Sequence, residues 1–142
     1  MDSVADTILP SGEPSRPINI HATAKDARAT PLQPGHISAL LMSHGSMELR
    51  WYAPQHLPGG ADLQTPHDRD ELYLVVSGAG VFVRAEHGHP FDGTPIPPHA
   101  EDRVAIQPGD TLFVPAGADH RFEAVSADFG AWMIFYGPEG GE

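Results

Sequence analysis

The chain contains no cysteine, so it has neither a disulfide framework nor a thiolate to bind metal or act as a nucleophile. It is poor in positive charge. Only 8 of its 142 residues are Lys or Arg, against 19 Asp and Glu, for a net charge of −11. That balance argues against nucleic acid, whose backbone is gripped by clustered basic side chains, and against anionic membrane surfaces. No apolar run approaches the ~20 residues that a bilayer requires. The first residues, Met1 to Pro17, carry acids and no apolar core, unlike a secretory signal. A cytoplasmic protein with no membrane or nucleic-acid partner is therefore expected. Convincing long helical patterns are also missing. Ser46, Ser77 and Ser126 fall in turns without a nucleophile-elbow context, which excludes a hydrolytic triad.

What is present is punctuation. Gly and Pro number 15 each and are spread at intervals, as turns in an all-β chain would be. Residues 1–35 read as an N-terminal extension, with Ala22 to Ala29 as one or two helical turns, and residues 36–142 as a barrel. Short apolar or alternating stretches suit strands: His36 to Ser43, Met47 to Ala53, Leu72 to Val76, Val81 to Arg84, Arg103 to Ile106, Thr111 to Val114, Arg121 to Val125 and Ala131 to Tyr136. In Met47 to Ala53, Met, Leu and Trp share one parity and Glu, Arg and Tyr the other. Turn residues at 44–46, 77–80, 107–110 and 126–128 separate these stretches. Glu86 to Asp102 reads as a long surface loop, the kind often reserved for function.

Two blocks carry the chemistry. In H-D-R-D-E, His67 and Glu71 precede an apolar strand; in G-D-T-L-F-V-P-A-G-A-D-H, a strand and a Pro-Gly turn lead to His120. Two imidazoles and a carboxylate are the ligand set of many divalent-metal sites. On a straight strand His67 and Glu71 would stand ~13 Å apart at about 3.3 Å per residue. Shared coordination thus requires a bend at Asp68-Arg69-Asp70. Glu71, Tyr73 and Val75 then share one strand face, and His120, Phe122 and Ala124 another.

These blocks resemble the paired motifs of the cupin family. Gly109, Pro115, Gly117 and His120 fall in register with the second motif, with Ala124 where the family has Asn. His67, Glu71 and Gly78 match the first motif. Thr65 stands at the position of its first histidine, and Gly60 is one residue out of step with its opening glycine. The resemblance implies an all-β double-stranded β-helix, a jelly-roll barrel. It implies a divalent transition metal (Fe, Mn, Ni or Zn) held by His67, Glu71 and His120. Thr65, in place of the missing histidine, reads as a plain strand residue, with an oxygen donor from Gln64 or Thr65 as the alternative. Pairing of barrels in the family also implies a homodimer.

Open positions on such a metal favour an oxygenase acting on a small organic molecule. An isomerase, a lyase or a non-catalytic binding module are the alternatives. No catalytic residue is assigned, although Tyr73 shares the face of Glu71 and is a candidate base. The substrate cavity is expected in the barrel mouth, lined by Tyr73, Phe122 and nearby aromatics. His87-Gly88-His89 lacks a carboxylate at family spacing and reads as solvated loop. Arg50 and Arg84 either pair with acids or anchor an anionic ligand. Trp51, Tyr52, Phe82, Trp132 and Phe135 are expected in the core.

Overall fold

The computed structural model describes residues 21–60, 62, 64, 67–85 and 101–141. Readings made on residues 1–20, on Thr65, and on His87, His89 and the rest of 86–100 lie outside the described residues.

One short helix, α1 (Ala24–Ala29), is followed by eight strands: β1 (Ala39–His44), β2 (Met47–Tyr52), β3 (Asp70–Ser77), β4 (Gly80–Ala85), β5 (Glu101–Ile106), β6 (Thr111–Val114), β7 (His120–Glu123) and β8 (Gly130–Tyr136). They form a five-stranded sheet in the order β1-β2-β8-β3-β6 and a three-stranded sheet in the order β5-β4-β7, with every pair antiparallel. This is the all-β jelly roll expected. Two ends differ. The segment read as a loop through Asp102 is already strand from Glu101. Strand β7 stops at Glu123, and Ala124 leaves it with φ 51°, so Ala124 does not share the face of His120 and Phe122.

The core lies between the sheets. Tyr73 on β3 meets Phe82 on β4 and Phe122 on β7 at ring-centroid distances of 6.0 and 5.0 Å. Such aromatic pairs add roughly 0.5–1.5 kcal/mol each beyond their buried area. Alternation along the strands sorts the residues: Glu71, Tyr73 and Val75 are buried inward, while Leu74 on the opposite face is exposed. On β2 the polar-looking parity is the inner one. Arg50 and Tyr52 stand in register with Met133 and Ala131 of the inner face of β8.

Trp51 and Trp132 instead pack edge to face on the outer side, 5.0 Å apart. There α1 covers part of them. Its N-terminus is closed by a Thr23–Asp26 capping box, and Arg28 lies over the Trp51 ring at 5.1 Å. This part of the expected extension therefore rests on the barrel's outer face.

The motif glycines have structural reasons. Gly78 has φ 77°, and a Cβ there would come within 2.6 Å of the Phe129 backbone. Gly117, at φ 82°, donates its N–H to the His67 carbonyl at 2.7 Å, which ties the second motif to the first.

Candidate metal centre

His67 sits just before β3, Glu71 is the second residue of β3, and His120 opens β7. The chain bends at Asp68-Arg69, as the spacing required. The bend has its own fastenings. Arg69 donates to the Ser46 carbonyl at 2.8 Å and pairs with Glu48. Asp70 is buried and accepts from the Ala116 N–H at 2.9 Å. Across the barrel, Arg84 of β4 stands in register with His120 and donates to the Phe113 carbonyl. Arg50 is buried and paired with Glu48 at 2.7 Å.

The structure brings the three sequence-predicted residues together. One donor atom from each of His67, Glu71 and His120 lies within 4.8 Å of the others. Glu71 Oε1 is 2.8 Å from His67 Nε2 and 3.2 Å from His120 Nε2. The two rings stand 4.9 Å apart, and Phe135 walls His67 on its other side at the same distance. Both imidazoles place Nδ1 3.0 Å from a backbone carbonyl, Arg69 for His67 and Ala118 for His120. A carbonyl only accepts, so each Nδ1 carries a proton and each ring turns Nε2 inward toward Glu71.

A third inward oxygen joins them. Gln64 Oε1 lies 3.1 Å from His120 Nε2. Its amide is oriented by two neighbours. Tyr73 O–H donates to Oε1 at 2.5 Å, and Nε2 donates to Asp62 Oδ2 at 3.1 Å. Asp62 also accepts from Tyr52 O–H at 2.5 Å and from the backbone N–H groups of Gln64 and Phe122 at 2.9 and 2.7 Å. Asp62 was not singled out in the sequence. Its partners are on β2 and β7, and no local spacing announces them.

The electrostatics favour a positive charge at the centre. Burial pushes the Glu71 carboxyl up, but the His120 and His67 hydrogen bonds outweigh it and hold it below its ordinary value. Burial pushes His120 down, but the Glu71 carboxylate outweighs it and lifts the imidazole. Glu71 Oε2 is buried and has no hydrogen-bond partner among the described residues. A buried acceptor without a donor costs roughly 1–3 kcal/mol, more when charged. With two imidazole nitrogens and a carboxylate converging and one carboxylate oxygen unsatisfied, the donor set fits a divalent cation.

Tyr73 does not fit the part of a base. Burial first, then the Glu71 charge, raises its hydroxyl well above the ordinary phenol value. Nor do Tyr73 and Phe122 line the cavity that reaches the centre. That cavity, of about 280 Å³, is walled by Ile37, Ser38, Gln64, His67, Met133 and Phe135. A neighbouring one of about 450 Å³ shares Ile37, Ser38 and Phe135 and adds Arg50 and Arg69. A further cavity, of about 590 Å³, lies under α1 beside Trp51 and touches none of the three metal-site residues.

The fold and the first motif's geometry define a small cupin-like barrel. No family model matches the chain. It is 36% identical over 75 residues to the acireductone dioxygenase of Parvibaculum lavamentivorans, a match covering 52% of this chain and 35% of that enzyme. It is 33% identical over 82 residues to an uncharacterized protein of Streptomyces coelicolor, covering 57% of this chain and 63% of that one. The chain thus spans less than two thirds of either relative. Among solved structures it resembles a protein of unknown function from Rhizobium leguminosarum, with a TM-score of 0.53 and 19% identity over 83% of this chain and 96% of that one. It also resembles iron(II) HppE, with a TM-score of 0.51 and 15% identity over 94% of this chain and 65% of that one. At such identities these structures speak for the fold alone.

Proposed function

We propose that the chain is a metal-dependent oxygenase of the dioxygenase kind, acting on a small organic molecule. His67, Glu71 and His120 hold a divalent transition metal (Fe, Mn, Ni or Zn). The observation that carries this reading is the inward convergence of two imidazole Nε2 atoms on a buried carboxylate whose second oxygen has no donor among the described residues. The partial match to acireductone dioxygenase supports it.

The metal would supply Lewis acidity and open positions for substrate and dioxygen. The protein's own contribution is orientation and dryness. Arg69 and Ala118 carbonyls fix the imidazole tautomers, Phe135 and Met133 wall the cavity against water, and Gln64 presents an oxygen to it. Among the described residues lining the cavity at the centre, His67 is the sole titratable group. That favours oxygenase chemistry over an isomerase or lyase, which needs a separate base to move a proton from carbon. The same observation suits a non-catalytic binding module, the second reading.

Metal analysis of tag-free protein, followed by oxygen-electrode screening of the Fe(II)-loaded protein against small metabolites, tests the proposal. Substrate-dependent oxygen uptake lost in Glu71→Ala is the expected result. A tight ligand released unchanged under every metal and oxygen condition would leave the binding module standing. Pairing of two copies belongs to the same reading, since β6 is a sheet edge whose Phe113 is exposed. Light scattering near twice the 15.2 kDa chain mass is expected.

A further inference from the structure

We propose that the side-chain carbonyl of Gln64 is the fourth protein ligand of this centre, and that it sets the metal preference. The inference rests on the metal reading above and extends it to a residue outside the two histidines and the glutamate. Gln64 Oε1 stands 3.1 Å from His120 Nε2, close to the 2.8 and 3.2 Å that separate Glu71 Oε1 from the two imidazoles. Donors on adjacent corners around one ion, each about 2.1 Å from it, stand about 3 Å apart. All three separations match that edge.

The amide is also built to present its oxygen. His120 Nδ1 faces the Ala118 carbonyl, so Nε2 is the ring atom that meets Gln64 Oε1 and Glu71 Oε1. The amide cannot turn over. Its nitrogen is held by the Asp62 carboxylate, which only accepts, and its oxygen by the Tyr73 hydroxyl. Both partners are anchored in turn, Asp62 on the Tyr52 hydroxyl and the Phe122 N–H and Tyr73 in the core. This scaffold of four residues leaves one lone pair of Gln64 Oε1 aimed at the cluster.

A neutral carbonyl is a harder, weaker donor than imidazole. It suits Mn(II) and Fe(II) and gives less advantage to Ni(II) and Zn(II), which imidazole favours. The site is therefore tuned away from the tightest-binding ions, while the carbonyl stays exchangeable.

Titration calorimetry with Mn(II), Ni(II) and Zn(II) on the full chain tests this, with melting curves as the control for folding. Gln64→Ala is expected to weaken Mn(II) roughly tenfold to hundredfold. Gln64→His is expected to tighten Ni(II) and Zn(II) more than Mn(II). As a readout independent of variants, 13C-glutamine labelling of the wild type marks only four residues, Gln33, Gln55, Gln64 and Gln107. Electron–nuclear double resonance of the Mn(II) form should then show a carbonyl carbon coupled to the ion. Unchanged affinities in both variants, or no 13C coupling, with metal still lost in His120→Ala, would overturn the Gln64 assignment and leave the three-residue site intact. Wild-type protein that takes up none of the three ions would overturn the metal reading itself.

Discussion

Two carboxylates at the same end of the barrel are treated in opposite ways. Asp62 is saturated with protein donors: two backbone N–H groups, one amide and one phenol share its two oxygens. Glu71 is more deeply buried, yet it faces only two imidazoles through one oxygen and leaves the other unmatched. Asp62 is a fastener that joins β2, β7 and the approach to β3. On the proposed reading Glu71 is a socket, with one oxygen left for something the described residues do not supply. The comparison separates structure from function more cleanly than burial does, because both groups are polar and enclosed.

The strongest way to break that contrast is to remove the socket. Glu71→Ala and His120→Ala should each lower divalent-metal affinity by at least ~100-fold, measured by calorimetry, since each takes away a first-hand ligand and not a supporting partner. Chelating the wild type should lower its melting temperature for the same reason. An ion present at a hundred times its dissociation constant stabilises the fold by about 2.7 kcal/mol. Retention of metal by Glu71→Ala would end the distinction.

Removing the fastener should do the reverse. Asp62→Ala strands the buried Tyr52 hydroxyl and the Phe122 N–H, at roughly 1–3 kcal/mol for each unpaired donor. A loss of several kcal/mol in urea unfolding is expected, with metal affinity weakened through Gln64 but not abolished. If Asp62→Ala lost metal as completely as Glu71→Ala while staying folded, the two carboxylates would belong to one site.

Smaller effects sharpen the comparison from outside. Glu48 lies beside Arg50 and Arg69. Burial pushes its carboxyl up, but these guanidiniums outweigh burial and hold it below the ordinary glutamate value. Its stabilisation is therefore present above about pH 4.5 and lost as pH falls through the lower folded value. The stability gap between wild type and Glu48→Gln should close in acid and open toward neutrality, by about 1 kcal/mol for a partly exposed carboxylate. The least effect belongs to Ala124, exposed at φ 51°. Asn tolerates that left-handed backbone better, so Ala124→Asn should stabilise by about 1 kcal/mol without touching metal affinity.

The sequence revealed the socket but not the fastener. His67, Glu71 and His120 were legible because each sits at a fixed offset from a turn. The bend at Asp68-Arg69 and the Gly117 turn tied to His67 translate spacing into geometry. Gly78 was legible because the Phe129 backbone leaves no room for a side chain. Asp62 was not, since its partners belong to strands distant in sequence. Alternation on β2 was plain, but which parity faced inward was not. Glu48, Arg50 and Tyr52 look like the wet face. They point inward because α1 and Trp132 occupy the opposite side of Trp51. The left-handed turn at Ala124 escaped notice because alanine carries no sign of it, where the family's Asn would.

The position of β8 bears on how the molecule is made. It follows every other described strand in sequence, yet it lies in the middle of the larger sheet, between β2 and β3. Until β8 is in place, β1–β2 and β3–β6 are two ribbons with no pairing between them. Glu71 pairs directly across to Phe135 of that strand. The pocket therefore takes shape only when β8 joins the two ribbons. Such long-range pairing folds slowly, so the ribbons must keep their apolar edges apart until it arrives.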